Sequence, residues 1–221
     1  MSIWYMNGKT FQKKMMKNED PDAILRAKYG LISSRIVSAK RYPKKILIMK
    51  ALFPNSTILA DLGIADEKWS IREYKKQLRQ NREILAIIIH NAIVKNRTFI
   101  LLCSETEWKV LGKPSFMEHL ADFCMEEFGY PLYDYKKYKN GKIGKIDYDK
   151  KRVLKKCKKV IEEARLQRMQ KDLKSPRGRK RVLNEMTVDE MRKLLDNYDI
   201  YTSGMSRKEM RSLIKKYIFD I

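Results

Sequence analysis

Histidine and cysteine are scarce in this chain of 221 residues: there are two histidines, His90 and His119, and three cysteines, Cys103, Cys124 and Cys157. The cysteines are far apart and form no CxxC pair, so neither a disulfide framework nor a thiolate zinc site is expected. They read most simply as small core residues of a reduced, intracellular protein. Long apolar runs are missing too. The greasiest stretch, Ile84 to Val94, is interrupted by His90 and Asn91 and ended by Lys95, short of the roughly 18 residues a membrane span needs. The opening MSIWYMNGKTF lacks the basic-then-apolar order of a secretory signal. No P-loop, GxGxxG, GxSxG or HExxH occurs, so no cofactor or metal is expected.

Negative charge is also short. Against 27 Asp and Glu stand 49 Lys and Arg, a net charge of +22. Such an excess repels itself in the folded state, and a polyanion relieves it. Nucleic acid, an anionic membrane surface and acidic proteins are the candidate partners, and a merely Lys-rich surface is the alternative. The excess is concentrated. Lys136 to Arg181 holds 20 basic and 5 acidic residues, about two-thirds of the net charge in about a fifth of the chain. That is the footprint expected of a nucleic-acid contact. Tyr133, Tyr135, Tyr138 and Tyr148 are interleaved with it. They either stack on bases or complete the core of the preceding domain.

Residues 1–135 read as a mixed α/β domain. Ser2 to Met6 suits an edge or first strand, and Thr98 to Cys103 a buried central one. Ser70-Ile-Arg-Glu73 has the form of a capping box opening a helix to about Gln80, and Glu83 to Lys95 that of a buried helix. A second box, Ser115-Phe-Met-Glu118, starts a helix with Phe116, Leu120, Phe123, Cys124 and Phe128 at core spacing, stopped by Gly129. Tyr130 to Tyr135 then returns as a strand. This alternation predicts a layered sheet with covering helices.

Lys139 to Lys145 is a turn-rich connector, and Asp149 to about Leu173 a long basic helix. Its stripe of Val153, Leu154, Cys157, Val160, Ile161 and Ala164 must pack on the N-terminal domain or on a protein partner. The opposite face carries Lys151, Lys155, Lys158, Lys159 and Arg165. Ser175 to Lys180 has no apolar residue and reads as a mobile linker. The chain thus divides into 1–135, an α/β domain; 136–182, a basic helix and linker arm; and 183–221, a small all-α module.

In that last segment, Thr187-Val-Asp-Glu190 and Ser206-Arg-Lys-Glu209 are capping boxes on either side of Asp199 to Gly204. Val188, Met191, Leu194, Leu195 and Tyr198 share one face of the first helix, and Met210, Leu213, Ile214 and Tyr217 one face of the second. The stretch MTVDEMRKLLDNYDIYTSGMSRKEMRSLIKKY resembles the helix–extended-loop–helix group that includes the SAP motif, over about 35 residues. Gly204 and Lys208 lie further apart than in the usual SAP form. The resemblance implies DNA binding, with RNA or protein bound by some relatives. Independently, the second helix start offers free N–H groups to phosphate, with Ser206, Arg207, Lys208 and Arg211 around it.

Pro176-Arg-Gly-Arg-Lys-Arg181 resembles the core of an AT-hook, in which Arg-Gly-Arg lies extended in a narrow minor groove. The resemblance implies contacts from Arg177, Gly178, Arg179, Lys180 and Arg181, although Lys180 stands where the hook has proline. Tyr42-Pro43, Leu52-Phe-Pro54, Trp69 to Tyr74 and Phe99 to Glu105 resemble the YeaO-like uncharacterised family (domain of unknown function 488), an α/β fold. Members carry a Cys-His-Arg triplet after that strand, where this chain has Pro114-Ser-Phe116 and only His119 nearby.

The expectation is a DNA-binding protein, with RNA the alternative polyanion, no membrane partner and no cofactor. Its location would be cytoplasmic, nucleoid-associated or in a virion, and its source a phage or virus. Two other classes stay open. One is a nucleic-acid-modifying enzyme in which Cys103, Glu105, Glu107 and His119 converge beyond a strand's end. The other is a virion or assembly protein whose tail docks on acidic protein.

Overall fold

A computed structural model describes residues 3–7, 28–32, 46–60, 67–103, 111, 115–135 and 147–219. Tyr42, Glu105, Glu107, Tyr138 and the 139–145 connector lie outside the described residues. The chain separates into two compact units, Met1–Ile161 and Glu162–Ile221.

The first unit is built on a five-stranded sheet of order β3-β2-β4-β1-β5, every pair parallel. The strands are β1 (Ile3–Asn7), β2 (Lys28–Leu31), β3 (Ile46–Ile48), β4 (Phe99–Cys103) and β5 (Leu132–Asp134). Parallel strands covered on both faces have no polar side, which is why Phe99-Ile-Leu-Leu-Cys103 runs apolar without alternation. The first strand is not an edge. It pairs with β4 on one side, Ile3 opposite Phe99, and with β5 on the other, Ile3 opposite Leu132.

Helices α1 (Ser56–Ala60), α2 (Glu67–Gln80), α3 (Arg82–Val94) and α4 (Phe116–Phe128) supply the rest of the core. Ser70 is not a cap: α2 begins a turn earlier, at Glu67, and Ser70 is buried inside it. The box at Ser115 does cap α4, with the Glu118 carboxylate accepting from Ser115 N at 2.8 Å, and Gly129 ends the helix at φ 71°. All five residues placed at core spacing on α4 are buried. The buried Tyr74 hydroxyl donates to Leu52 O at 2.7 Å, tying α2 to the segment after β3.

The long helix α5 (Lys150–Asp172) starts where Asp149 Oδ1 accepts from Arg152 N at 3.1 Å. Val153, Cys157 and Val160 join the core of the first unit. The apolar stripe is therefore occupied within the chain, and a protein partner there is not called for.

The second unit contains α6 (Pro176–Glu185), α7 (Val188–Asp196), α8 (Arg207–Leu213) and a π-helical segment, Ile214–Phe219. Its core is Val182, Leu183, Met186, Met191, Leu195, Met210, Ile214 and Phe219. Both capping boxes form, Thr187 Oγ1 accepting from Glu190 N at 3.2 Å and Ser206 Oγ from Glu209 N at 3.3 Å.

Two expectations fail here: Ser175 to Lys180 is not a linker, and Arg177-Gly-Arg179 is not extended. Ser175 caps α6 by accepting from Gly178 N at 3.1 Å, and Pro176 occupies the first helical turn, where its missing N–H costs nothing. Helical Arg177-Gly-Arg179 is not the extended form a minor-groove hook takes. The reason for the glycine is packing: a Cβ on Gly178 would lie 1.9 Å from Asp172 O.

Candidate nucleic-acid interface

Positive charge in this chain is placed in two ways that composition cannot separate. One is internal. Helix C-termini leave carbonyls without partners, and Arg or Lys near them satisfies both the hydrogen bonds and the dipole. Arg179 donates to Leu173 O at 3.1 Å and to Phe219 O at 2.8 Å, closing two such ends. Arg207 donates to Met186 O at 3.1 Å and Arg211 to the Asn184 side-chain oxygen, both just past or within the last turn of α6. Arg181 pairs with Asp172 at 3.0 Å. Four of the cations expected to touch phosphate are thus engaged inside the second unit.

Arg165, expected on the exposed cationic face, is engaged most firmly. Its guanidinium grips the Glu190 carboxylate with both terminal nitrogens, at 2.6 and 2.9 Å. The same carboxylate accepts from Thr187 N at 2.7 Å and Thr187 Oγ1 at 2.9 Å. The Arg165 hydrogen bond, followed by those from Thr187, holds Glu190 down at about 2. A carboxylate depressed in the folded state stabilises fully above its unfolded value and ceases to as pH falls through its folded one. Both side chains are about a quarter exposed, so solvent screening trims the pair to ~1–3 kcal/mol. Glu190→Gln should therefore lower stability at neutral pH and flatten its pH dependence between about 4.5 and 2, measured by urea unfolding of the full chain at a series of pH values.

The other placement is solvent-exposed. Lys150 to Ile161 contains seven cations and no acid. Lys156 is spent on Glu127 O at 2.8 Å, capping α4. Lys150, Lys151, Arg152, Lys155, Lys158 and Lys159 are exposed. The spacing of Lys151, Lys155 and Lys158 puts them on one flank, opposite Val153, Cys157 and Val160. Burial, then Lys158, then Lys95 lower the pKa of His90 on α3, so these cations gather around one surface. In the second unit Arg177, Lys180 and Lys208 are exposed, as is the cap Ser206. Of the residues named from sequence patterning, Lys155, Lys158 and Lys159 are on this exposed face. The patterning omitted Lys150 and Arg152, which the absence of any acid from Lys150 to Ile161 marks out.

The described tyrosines interleaved with the charge before α5, Tyr133, Tyr135 and Tyr148, belong to the core. Tyr133 and Tyr135 are buried, and half-buried Tyr148 packs edge-on against Tyr130 at 4.7 Å. Cys103 is fully buried among apolar side chains and His119 is buried on α4, a setting for packing and not for a nucleophile. Burial pushes the Cys157 thiol up to about 12 and raises that of Cys124 further. Among the described residues, no cluster of His, Cys, Asp and Glu is placed to hold a metal, and no helix is long and apolar enough to cross a membrane. A cleft of about 490 Å³ beside Lys50, Asn55, Gln80 and Asn81 has one cation and no carboxylate. Its buried Gln77 amide is committed to Ala51 O, Phe53 O and Asn55 N.

Comparison of the chain with protein-family models, curated proteins and solved structures found no match.

Proposed function

We propose that the protein binds nucleic acid, with duplex DNA as its substrate, chiefly through the exposed cationic face of α5. The observation carrying this reading is the run from Lys150 to Ile161, in which an apolar stripe fixes the helix to a folded core while its open side shows only positive charge. A cation held on a rigid scaffold near other cations gains by displacing counterions from a phosphate backbone. His90 is consistent with this: burial first, and then the charges of Lys158 and Lys95, lower its pKa, so a cation at the end of α3 and one on α5 lie near one another. Lys180, Arg177 and Lys208 add exposed charge from the second unit. The SAP-like pattern of α7 and α8 agrees with a DNA-binding role and adds shape preference to it. A basic protein that coats or compacts DNA, as phages and viruses encode, fits such contacts.

Phosphate contacts give affinity and little sequence information. Neutralising Lys151, Lys155 and Lys158 to Gln should weaken binding to any duplex alike. The slope of log K against log salt should fall by about 2.7 units if each meets one phosphate. An unchanged slope would remove α5 from the interface. Arg179→Gln is the counter-test: its guanidinium is internal, so the slope should hold while stability drops.

A further inference from the structure

We infer that Tyr217 is a stacking platform for an unpaired base of single-stranded DNA, with Lys215 and Lys216 drawing the strand to it; this rests on the phosphate-binding reading above. The inference comes from where the π-helical segment departs from an α-helix. Continued in α-helical register, the inward positions of α8 run Met210, Ile214, Tyr217, the face expected from sequence. In Ile214–Phe219 hydrogen bonds reach five residues instead of four, so the inward position after Ile214 moves to Phe219. Met210, Ile214 and Phe219 are buried, while Tyr217 is 62% exposed. One extra residue per turn has exchanged which aromatic ring enters the core. Short π-helical insertions are uncommon and concentrate at functional sites.

The exposed ring has a cationic setting. Lys216 Nζ stands 4.9 Å from its centroid, and Lys215 and Lys208 are exposed on the same helical run. An aromatic ring among cations is what a base with a free face and an adjoining phosphate recognise together. Bases inside a duplex have both faces covered by their neighbours, so the partner is a single strand. Exposure alone does not define such a site. Tyr201 is 79% exposed, yet the stretch Asp196 to Ser206 around it contains Asp196 and Asp199 and no cation, whereas the sequence around Tyr217 sets Lys215 and Lys216 against Asp220 alone.

The test uses the full chain with an oligothymidylate, an abasic oligomer of the same length and a duplex, each across a salt series. The parent should bind the oligothymidylate about 5- to 150-fold more tightly than the abasic strand. Tyr217→Ala and Tyr217→Gln should abolish that preference, with duplex affinity and every salt slope unchanged. Tyr217→Phe should keep it, because the ring stacks and the hydroxyl does not, and Tyr201→Ala should keep it as well. Circular dichroism matching the parent shows that the fold survives. A parent that binds the abasic strand and the oligothymidylate equally would overturn the stacking role and leave the phosphate reading standing. So would a Tyr217→Ala variant that retains the preference, or a Tyr201→Ala variant that loses it equally. A parent that binds none of the three at low salt would overturn the phosphate reading itself.

Discussion

Gly178→Ala is expected to destabilise the second unit by about 2 kcal/mol or more, although alanine is the better helix former. The two effects oppose each other and differ in size. Replacing a helical glycine with alanine gains roughly 0.5–1 kcal/mol from backbone entropy. Against this, the new methyl would stand 1.9 Å from Asp172 O, 2.6 Å from its carbonyl carbon and 2.7 Å from its Cα. All three atoms are backbone, so no side chain can rotate away and the end of α5 must shift relative to α6. Overpacking of this kind costs typically 1–3 kcal/mol, and the absence of a flexible neighbour puts this site at the upper end. In a unit this small each kcal/mol moves the melting temperature by about 4–8 °C, so a drop of roughly 10 °C is expected in its transition. Calorimetry of the full chain should show the transition of the first unit unmoved. The measurement also separates two accounts of Arg-Gly-Arg. A minor-groove arm predicts parental stability with weaker DNA binding, and a packing glycine predicts the reverse.

Leu195→Ala should cost ~2–5 kcal/mol, comparable to the entire stability of a unit this size. Leu195 is fully buried, and the core around it has only eight buried apolar side chains, so little material can collapse into the vacated space. Ile200 N also donates to Leu195 O at 3.0 Å, which ties the loop after α7 to the same turn. The neighbouring Leu194 is only half-buried, and Leu194→Ala should cost about half as much or less. Sequence periodicity puts both leucines on one face with Val188 and Met191 and does not rank them. Circular dichroism melts of the two variants provide the comparison, and equal losses would mean that the core is arranged differently.

Much of the fold is legible in the residues because the signals are local. The capping boxes at Thr187 and Ser206, and the Glu118 carboxylate that accepts from Ser115 N, are satisfied within one turn of chain, so their geometry does not depend on what packs nearby. Gly129 ends its helix with a positive φ for the same kind of local reason. The uninterrupted apolar run of β4 and the stripe on α5 need only to know that they are buried, not against what. Where the same local signal misleads, a neighbour has overridden it. The Ser70 box is internal because α2 is extended by another turn, and Tyr217 is outside because the π-helical segment selects Phe219 in its place.

Charge is where sequence and structure divide most sharply. The sequence by itself determines that the chain carries +22, that two-thirds of it lies between Lys136 and Arg181, and that one stretch of helix is free of acids. It also points to a layered sheet with covering helices in the first unit, through apolar strands alternating with helices, while the parallel pairing of every strand is seen only in the fold. It does not determine which cations are available to a partner. Arg165, Arg179, Arg207 and Arg211 look the same as Lys155 or Lys158 in composition and spacing. They differ because their acceptors come from elsewhere in the chain: Glu190 lies 25 residues from Arg165, Phe219 lies 40 from Arg179, and the α6 C-terminus lies more than 20 from Arg207 and Arg211. A carbonyl left over at a helix end takes whichever guanidinium the fold brings within 3 Å, and only the tertiary structure decides which one that is.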